Sequence, residues 1–165
     1  MRGTNERRHD KTIGFVKKHF VDDRILDLGV DNEMAWRMRD EGYDVRNTTG
    51  DLDTDYRVRQ CGRNITAFEI FEHLFAPFNI LNNTSGKLIA SVPINLWFAK
   101  AYWNNADPRD CHYHEFEKRQ FDHLLKRTGW TVKDSKCITG PRWDIGFRPI
   151  LRLFYKRHYI IYAEK

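Results

Sequence analysis

The stretch that most constrains the fold is Arg24-Ile25-Leu26-Asp27-Leu28-Gly29-Val30-Asp31-Asn32-Glu33, an apolar run closed by an acid, a glycine and a polar turn. Ile25, Leu26 and Leu28 are too few for a helix of their own, and helix-like character begins only after Asn32. The economical reading is a short buried strand handed to a helix through a glycine-bearing turn. Open α/β sheets build their ligand crevice at such a junction, at the carboxyl ends of the strands.

The flanking chain agrees. Met34, Trp36 and Met38 lie in a segment running to Gly42, which suits a helix C-cap, and Tyr43 to Thr48 begins a second strand. Strand–helix–strand is the βαβ unit, with its right-handed crossover. Upstream, Ile13, Val16 and Phe20 recur at helical spacing within Arg7 to Phe20, which predicts an amphipathic helix over one face of the sheet, either a packing helix or a substrate lid. Ile65 to Phe68 and Leu88 to Val92 read as further strands, the latter ended by Pro93. His114 to Gly129 carries Phe116, Phe121, Leu124 and Leu125 on one face and predicts the clearest helix. Trp130 to Ile138 and His158 to Ala163 are two more strands. The excursion between them is rich in arginine and aromatics, including Arg142, Trp143, Phe147 and Arg148; such residues bind bases or sugars, or cover a sheet edge.

On these residues the chain resembles the class I S-adenosylmethionine-dependent methyltransferases, in particular the ubiquinone-biosynthesis-like group. Asp27 and Gly29 fill the first two places of that family's Asp-x-Gly-x-Gly-x-Gly motif, whereas Asp31 and Glu33 replace its later glycines and would add bulk and negative charge beside the cofactor's methionine end. Glu69, Glu72, His73 and Pro77 match the strand-ending Glu-x-x-Glu-His-Leu and the proline that follows it. Gly86-Lys87-Leu88-Ile89-Ala90-Ser91-Val92-Pro93 is similar to the fifth-strand segment, and His112, Glu115 and Phe116 to the element before the last helix.

The resemblance implies a single α/β domain with a three-layer Rossmann-like architecture, a mostly parallel sheet and a C-terminal antiparallel strand pair. It implies S-adenosylmethionine as cofactor and methyl transfer to an unidentified acceptor, a small molecule before nucleic acid. Asp27, Gly29, Asp51, Asp53 and Glu69 are the expected cofactor contacts. The acid usually found about 20 residues past the first motif is missing, since Asn47 and Thr48 occupy its place. Too little chain separates Gly29 from Ile65 for two strand–helix units, so the cofactor half is expected to be shortened. His73, His112 and His114 are the candidate bases, because an imidazole titrates near neutrality.

Some relatives with the Glu-x-x-Glu-His pattern, the small-RNA 2′-O-methyltransferases among them, hold a divalent metal with it. Glu69, Glu72, His73 and His114 are the corresponding candidates here, with no metal as the first expectation. With two motif glycines replaced, a catalytically inert methyltransferase-like binding module is one alternative function, and a divalent-metal-dependent RNA 2′-O-methyltransferase is the other. The aromatic loop from Asn95 to Trp103 supplies either an acceptor wall or a packed cap.

Composition excludes several other classes. The 165 residues suit one domain. A charged fraction of 31% beside 14% aromatics and a mean hydropathy of −0.70 fit a soluble globular chain. The net charge of +5 attracts anions without demanding a nucleic-acid partner. Cys61, Cys111 and Cys137 are odd in number and widely spaced, which argues for a reducing compartment and against a disulfide framework. No run approaches the roughly 18 apolar residues of a membrane span, so a cytoplasmic location is expected.

Overall fold

The computed structural model describes residues 4–21, 24–58, 64–97, 101–138 and 156–165. Cys61 and the arginine-rich excursion of residues 139–155 lie outside them.

Among the described residues six strands form one sheet: β1 (Arg24–Asp27), β2 (Asp44–Asn47), β3 (Asn64–Phe68), β4 (Lys87–Pro93), β5 (Thr131–Ile138) and β6 (His158–Glu164), in the order β2-β1-β3-β4-β6-β5. The first four run parallel, and β6 pairs antiparallel with both β4 and β5. A bulge between Val132 and Asp134 shifts the last register. Among the described residues four helices cover the sheet: α1 (Thr4–His19), α2 (Glu33–Asp40), α3 (Pro77–Asn83) and α4 (Lys118–Arg127).

Strand alternation explains the layering. Successive side chains of a strand point to opposite faces, so Ile25, Ile89, Ile160 and Tyr162 join Ile13, Val16, Met34 and Met38 under α1 and α2. Leu26, Leu88, Ala90, Tyr159 and Ile161 join Ile80, Leu81, Phe121 and Leu125 under α3 and α4. The result is a three-layer α/β sandwich with a mostly parallel sheet and an antiparallel pair at one edge, as expected.

Two local expectations need correction. The helix predicted from His114 begins only at Lys118, because Glu117 and Gln120 form a capping box that fixes its start. Phe116 is instead held in a bridge to Ile94. Between Gly29 and β3 the described chain holds one helix and one strand, and residues 50–55 form turns. After β3 the chain makes a short 3-10 turn, Phe71–His73, and then α3, which opens on Pro77. That helix was not foreseen, since seven residues carry too little periodicity to announce it.

Candidate functional site

The carboxyl ends of β2, β1, β3 and β4 are stitched together at one edge. The Gly29 N–H donates to the Thr48 hydroxyl at 2.7 Å, the Thr48 N–H to the Asp27 carbonyl at 3.0 Å, the Leu28 N–H to the Thr66 carbonyl at 2.8 Å and the Glu69 N–H to the Ser91 carbonyl at 3.0 Å. Gly29 has φ +107°, a conformation that favours glycine, and a Cβ there would come within 2.9 Å of the Ile70 Cδ1. The tips near Gly29 and Glu69 therefore converge, and Ile70 lies directly against the glycine.

Asp27 is buried at the end of β1, accepting from the Thr66 hydroxyl at 2.5 Å and from Asn47 Nδ2 at 3.0 Å. Burial outweighs those bonds and pushes its carboxyl up to about 6. Asn47 also accepts from Arg39 at 2.8 Å. Asp31 receives the Arg39 guanidinium at 2.6 Å and the Trp36 indole N–H at 2.7 Å, while Glu33 is held by His9 at 3.1 Å and Arg37 at 3.0 Å. Their carboxylates are thus neutralised by local cations rather than left as bare charge. Asn32 caps α2 by accepting from the Met34 and Ala35 N–H groups.

Glu69 stands at the tip of β3 with φ +56°, the only positive-φ residue other than glycine among those described. Its carboxylate accepts from Ser91 Oγ at 2.8 Å and from His158 Nδ1 at 2.9 Å, and lies 3.5 Å from the Arg8 guanidinium. Burial alone would raise this acid, but the His158 hydrogen bond and charge, with Arg8 and Ser91, hold it down to about 2. Arg8, Glu69, Ser91 and His158 line a cavity of about 310 Å³, closed by Asn32, Glu33 and Met34 of the first turn and by Ile138 and Ile160. The Arg8 Nε is buried without a hydrogen-bond partner. A second cavity, of about 590 Å³, lies on the other face beside β2, lined among others by Leu26, Asn47, Thr48, Asp55 and Tyr56.

The remaining expected residues fall elsewhere. Asp51 makes a local turn to the Asp53 N–H, and Asp53 accepts the Phe75 and Ala76 N–H groups at 2.9 Å each, tying that turn to the start of α3. Glu72, His73 and His112 come together behind the β3 loop. His114 reaches the Phe75 carbonyl at 3.4 Å and stacks on Phe116, apart from that group. None of His73, His112 and His114 lines the cavity at Glu69; His158 does. Residue reading missed Arg8, Thr48, Ile70 and His158. The signal that could have found Arg8 and His158 is a charged residue on an amphipathic helix and one at the start of an otherwise apolar strand. In the aromatic loop, Leu96 is buried, whereas Trp97 and Trp103 are exposed.

The mostly parallel sheet ending in an antiparallel pair is a fold similar to that of solved S-adenosylmethionine-dependent methyltransferases. No family model matches the chain, and no curated protein matches it by sequence. Solved structures do. An S-adenosylmethionine-dependent methyltransferase from Mesorhizobium loti superposes with a TM-score of 0.61 at 13% identity, covering 92% of this chain and 96% of that one. One from Archaeoglobus fulgidus gives 0.55 at 14% identity over 99% and 96%. Phosphoethanolamine N-methyltransferase 2 of Haemonchus contortus, solved with S-adenosyl-L-methionine, gives 0.57 at 12% identity over 94% of this chain and 52% of that one. At these identities the likeness establishes the fold.

Proposed function

We propose that the protein binds S-adenosylmethionine at the carboxyl edge of its sheet and transfers the methyl group to an acceptor, a small molecule in the first instance. The observation that supports this reading is the cavity beside the β1 turn, where the unpartnered Arg8 Nε and the ionised Glu69 lie together. A zwitterionic sulfonium amino acid offers a carboxylate for the first and positive charge for the second. The bound sulfonium supplies an already activated methyl group, so the chain's own residues have to bind, align and accept a proton. Asn32 and Ser91 add polar contacts to this cavity. His158 in its neutral form is the proton acceptor in this reading, with the hydrogen on Nδ1 held by Glu69 and the Nε2 lone pair facing away from it.

Isothermal titration with S-adenosylhomocysteine tests the proposal. Micromolar binding is expected, weakened at least tenfold in Arg8→Ala; no heat at millimolar ligand overturns it. That second outcome would favour a binding module that keeps the fold without the cofactor. A specific observation speaks for the module: Ile70 covers Gly29, and Arg39 bonds Asn47 where nucleoside sites of this fold place an acid.

A further inference from the structure

Beyond the turn that follows β3, three stretches of chain bring aromatic rings together in contact with solvent. Phe75 is 68% exposed and Trp103 61%, and Tyr102, next to Trp103 in the chain, is 43% exposed. The Phe75 ring stacks on Tyr113 with centroids 4.1 Å apart and planes at 29°, and Trp103 meets the same Tyr113 ring at 6.1 Å and 88°. Single exposed aromatics need no explanation, but a contiguous group of them on a protein surface marks a place where something binds.

The backbone that carries the rings is fixed before any ligand arrives. The Phe75 N–H donates to Asp53 Oδ2 at 2.9 Å, and the Tyr113 N–H to the Glu72 carbonyl at 2.8 Å. The Tyr102 carbonyl accepts the His112 N–H at 3.1 Å, and the Tyr102 hydroxyl donates to Asp110 Oδ2 at 2.8 Å. Because the segments of Phe75, Tyr102 and Tyr113 are tied to one another in this way, little ordering entropy is left to lose on binding.

Charge decides which chemistry such a surface takes. Three carboxylates hold these segments: Asp53 at the Phe75 N–H, Asp110 at the Tyr102 hydroxyl, and Glu115, whose Oε1 lies 3.4 Å from the Tyr102 nitrogen and 3.1 Å from His112 Nδ1. Elsewhere acids are matched by cations, Asp31 by Arg39, Glu33 by Arg37 and Asp134 by Lys18. Among the described residues no lysine or arginine is paired with Asp53, Asp110 or Glu115; the donors on Asp110 are the neutral Asn104 amide and Tyr102 hydroxyl, which hold its carboxyl below the ordinary value. Exposed rings with uncompensated negative charge at their margin attract a positive ligand twice over, through the ring quadrupole and through the carboxylates. A phosphate or carboxylate ligand would be repelled.

We infer that Phe75, Trp103 and Tyr113, with Asp110 and Glu115 at their margin, form a binding site for an organic ammonium ion. Its alkyl groups lie against the rings while the charge faces the carboxylates, so a methylated ammonium suits the surface better than a bare metal cation. None of these residues lines the cavity at Glu69, so the two sites stand independently.

The test is titration of the full-length chain with choline chloride, with no methyl donor present, read by tryptophan fluorescence and by saturation-transfer NMR. Saturable binding in the millimolar range is expected, with 3,3-dimethyl-1-butanol, the uncharged isostere of choline, bound about tenfold more weakly. Phe75→Ala and Trp103→Ala should each weaken choline about fivefold, the loss of one ring at an exposed cation site, and Trp103→Phe should recover part of it. Asp110→Asn should weaken choline and leave the isostere unchanged. Trp36→Ala, which removes an exposed tryptophan of α2, should alter neither. Phe75 and Trp103 are exposed, so truncating them spares the core, and circular dichroism verifies the fold of each variant. Equal affinity for choline and its isostere would reveal a merely apolar patch, tighter binding of glucose would make it a saccharide surface, and no saturable binding of choline would remove the site; each of these overturns the assignment. The outcome is independent of the S-adenosylhomocysteine titration, so either reading can fail alone.

Discussion

His158 Nδ1 donates to Glu69 Oε2 at 2.9 Å, joining residues 89 positions apart and fastening the start of β6 to the tip of β3. Glu69 is held low, so its contribution to stability is present above its unfolded value and lost as pH falls through about 2. Glu69→Gln should therefore cost about 2 kcal/mol at pH 7, a figure discounted for the solvent that reaches the carboxylate. It should also flatten the acid limb of stability between about pH 4.5 and 2. Urea unfolding of wild type, each single variant and Glu69→Gln/His158→Gln gives the coupling; zero coupling would show the pair to be incidental.

Asp27 has the opposite sign. Its carboxyl rises from 3.8 to about 6 in the folded state, so its stabilisation is complete below about pH 4 and is lost as pH rises through about 6. That difference corresponds to about 3 kcal/mol. Asp27→Asn should remove this pH dependence, so that the variant's stability changes less than wild type's between pH 4 and 7. Denaturant midpoints across that range check it, and parallel curves would contradict it.

Gly29→Ala should destabilise the protein by about 1–2 kcal/mol, chiefly because φ is positive there. The added Cβ would also press on the Ile70 Cδ1 at 2.9 Å, the movable end of a side chain. Pairing it with Ile70→Ala should relieve the contact but leave the backbone term. A double variant restored to the stability of Ile70→Ala alone would show that crowding, not conformation, requires the glycine.

Asp53→Ala should cost about 1–2 kcal/mol by releasing the Phe75 and Ala76 N–H groups at the start of α3. With both oxygens employed in that cap, S-adenosylhomocysteine affinity should stay within twofold of wild type. A larger loss would return Asp53 to the cofactor contacts that the family resemblance suggests.

Short apolar runs were enough to find every strand among the described residues, because a strand buried on both sheet faces reads as a continuous apolar stretch bounded by turn residues. Asp27, Gly29 and Glu69 were legible for a related reason: an acid or glycine that ends an apolar run marks a strand tip. The start of α4 was misread because Phe116 continues the helical spacing while a capping box excludes it, and the short α3 left too little pattern to see.

What the chain order of residues determined by itself is the layered α/β architecture and the edge at which its loops gather. Which side chains meet at that edge was decided only by folding. Arg8 and His158 reach Glu69 from opposite ends of the chain, Arg39 crosses to Asp31 and Asn47, and His112 joins Glu72 and His73 across almost forty residues. Periodicity is a property of neighbours along the chain, whereas charge pairing and ligand geometry depend on distances that arise once the sheet brings remote segments side by side.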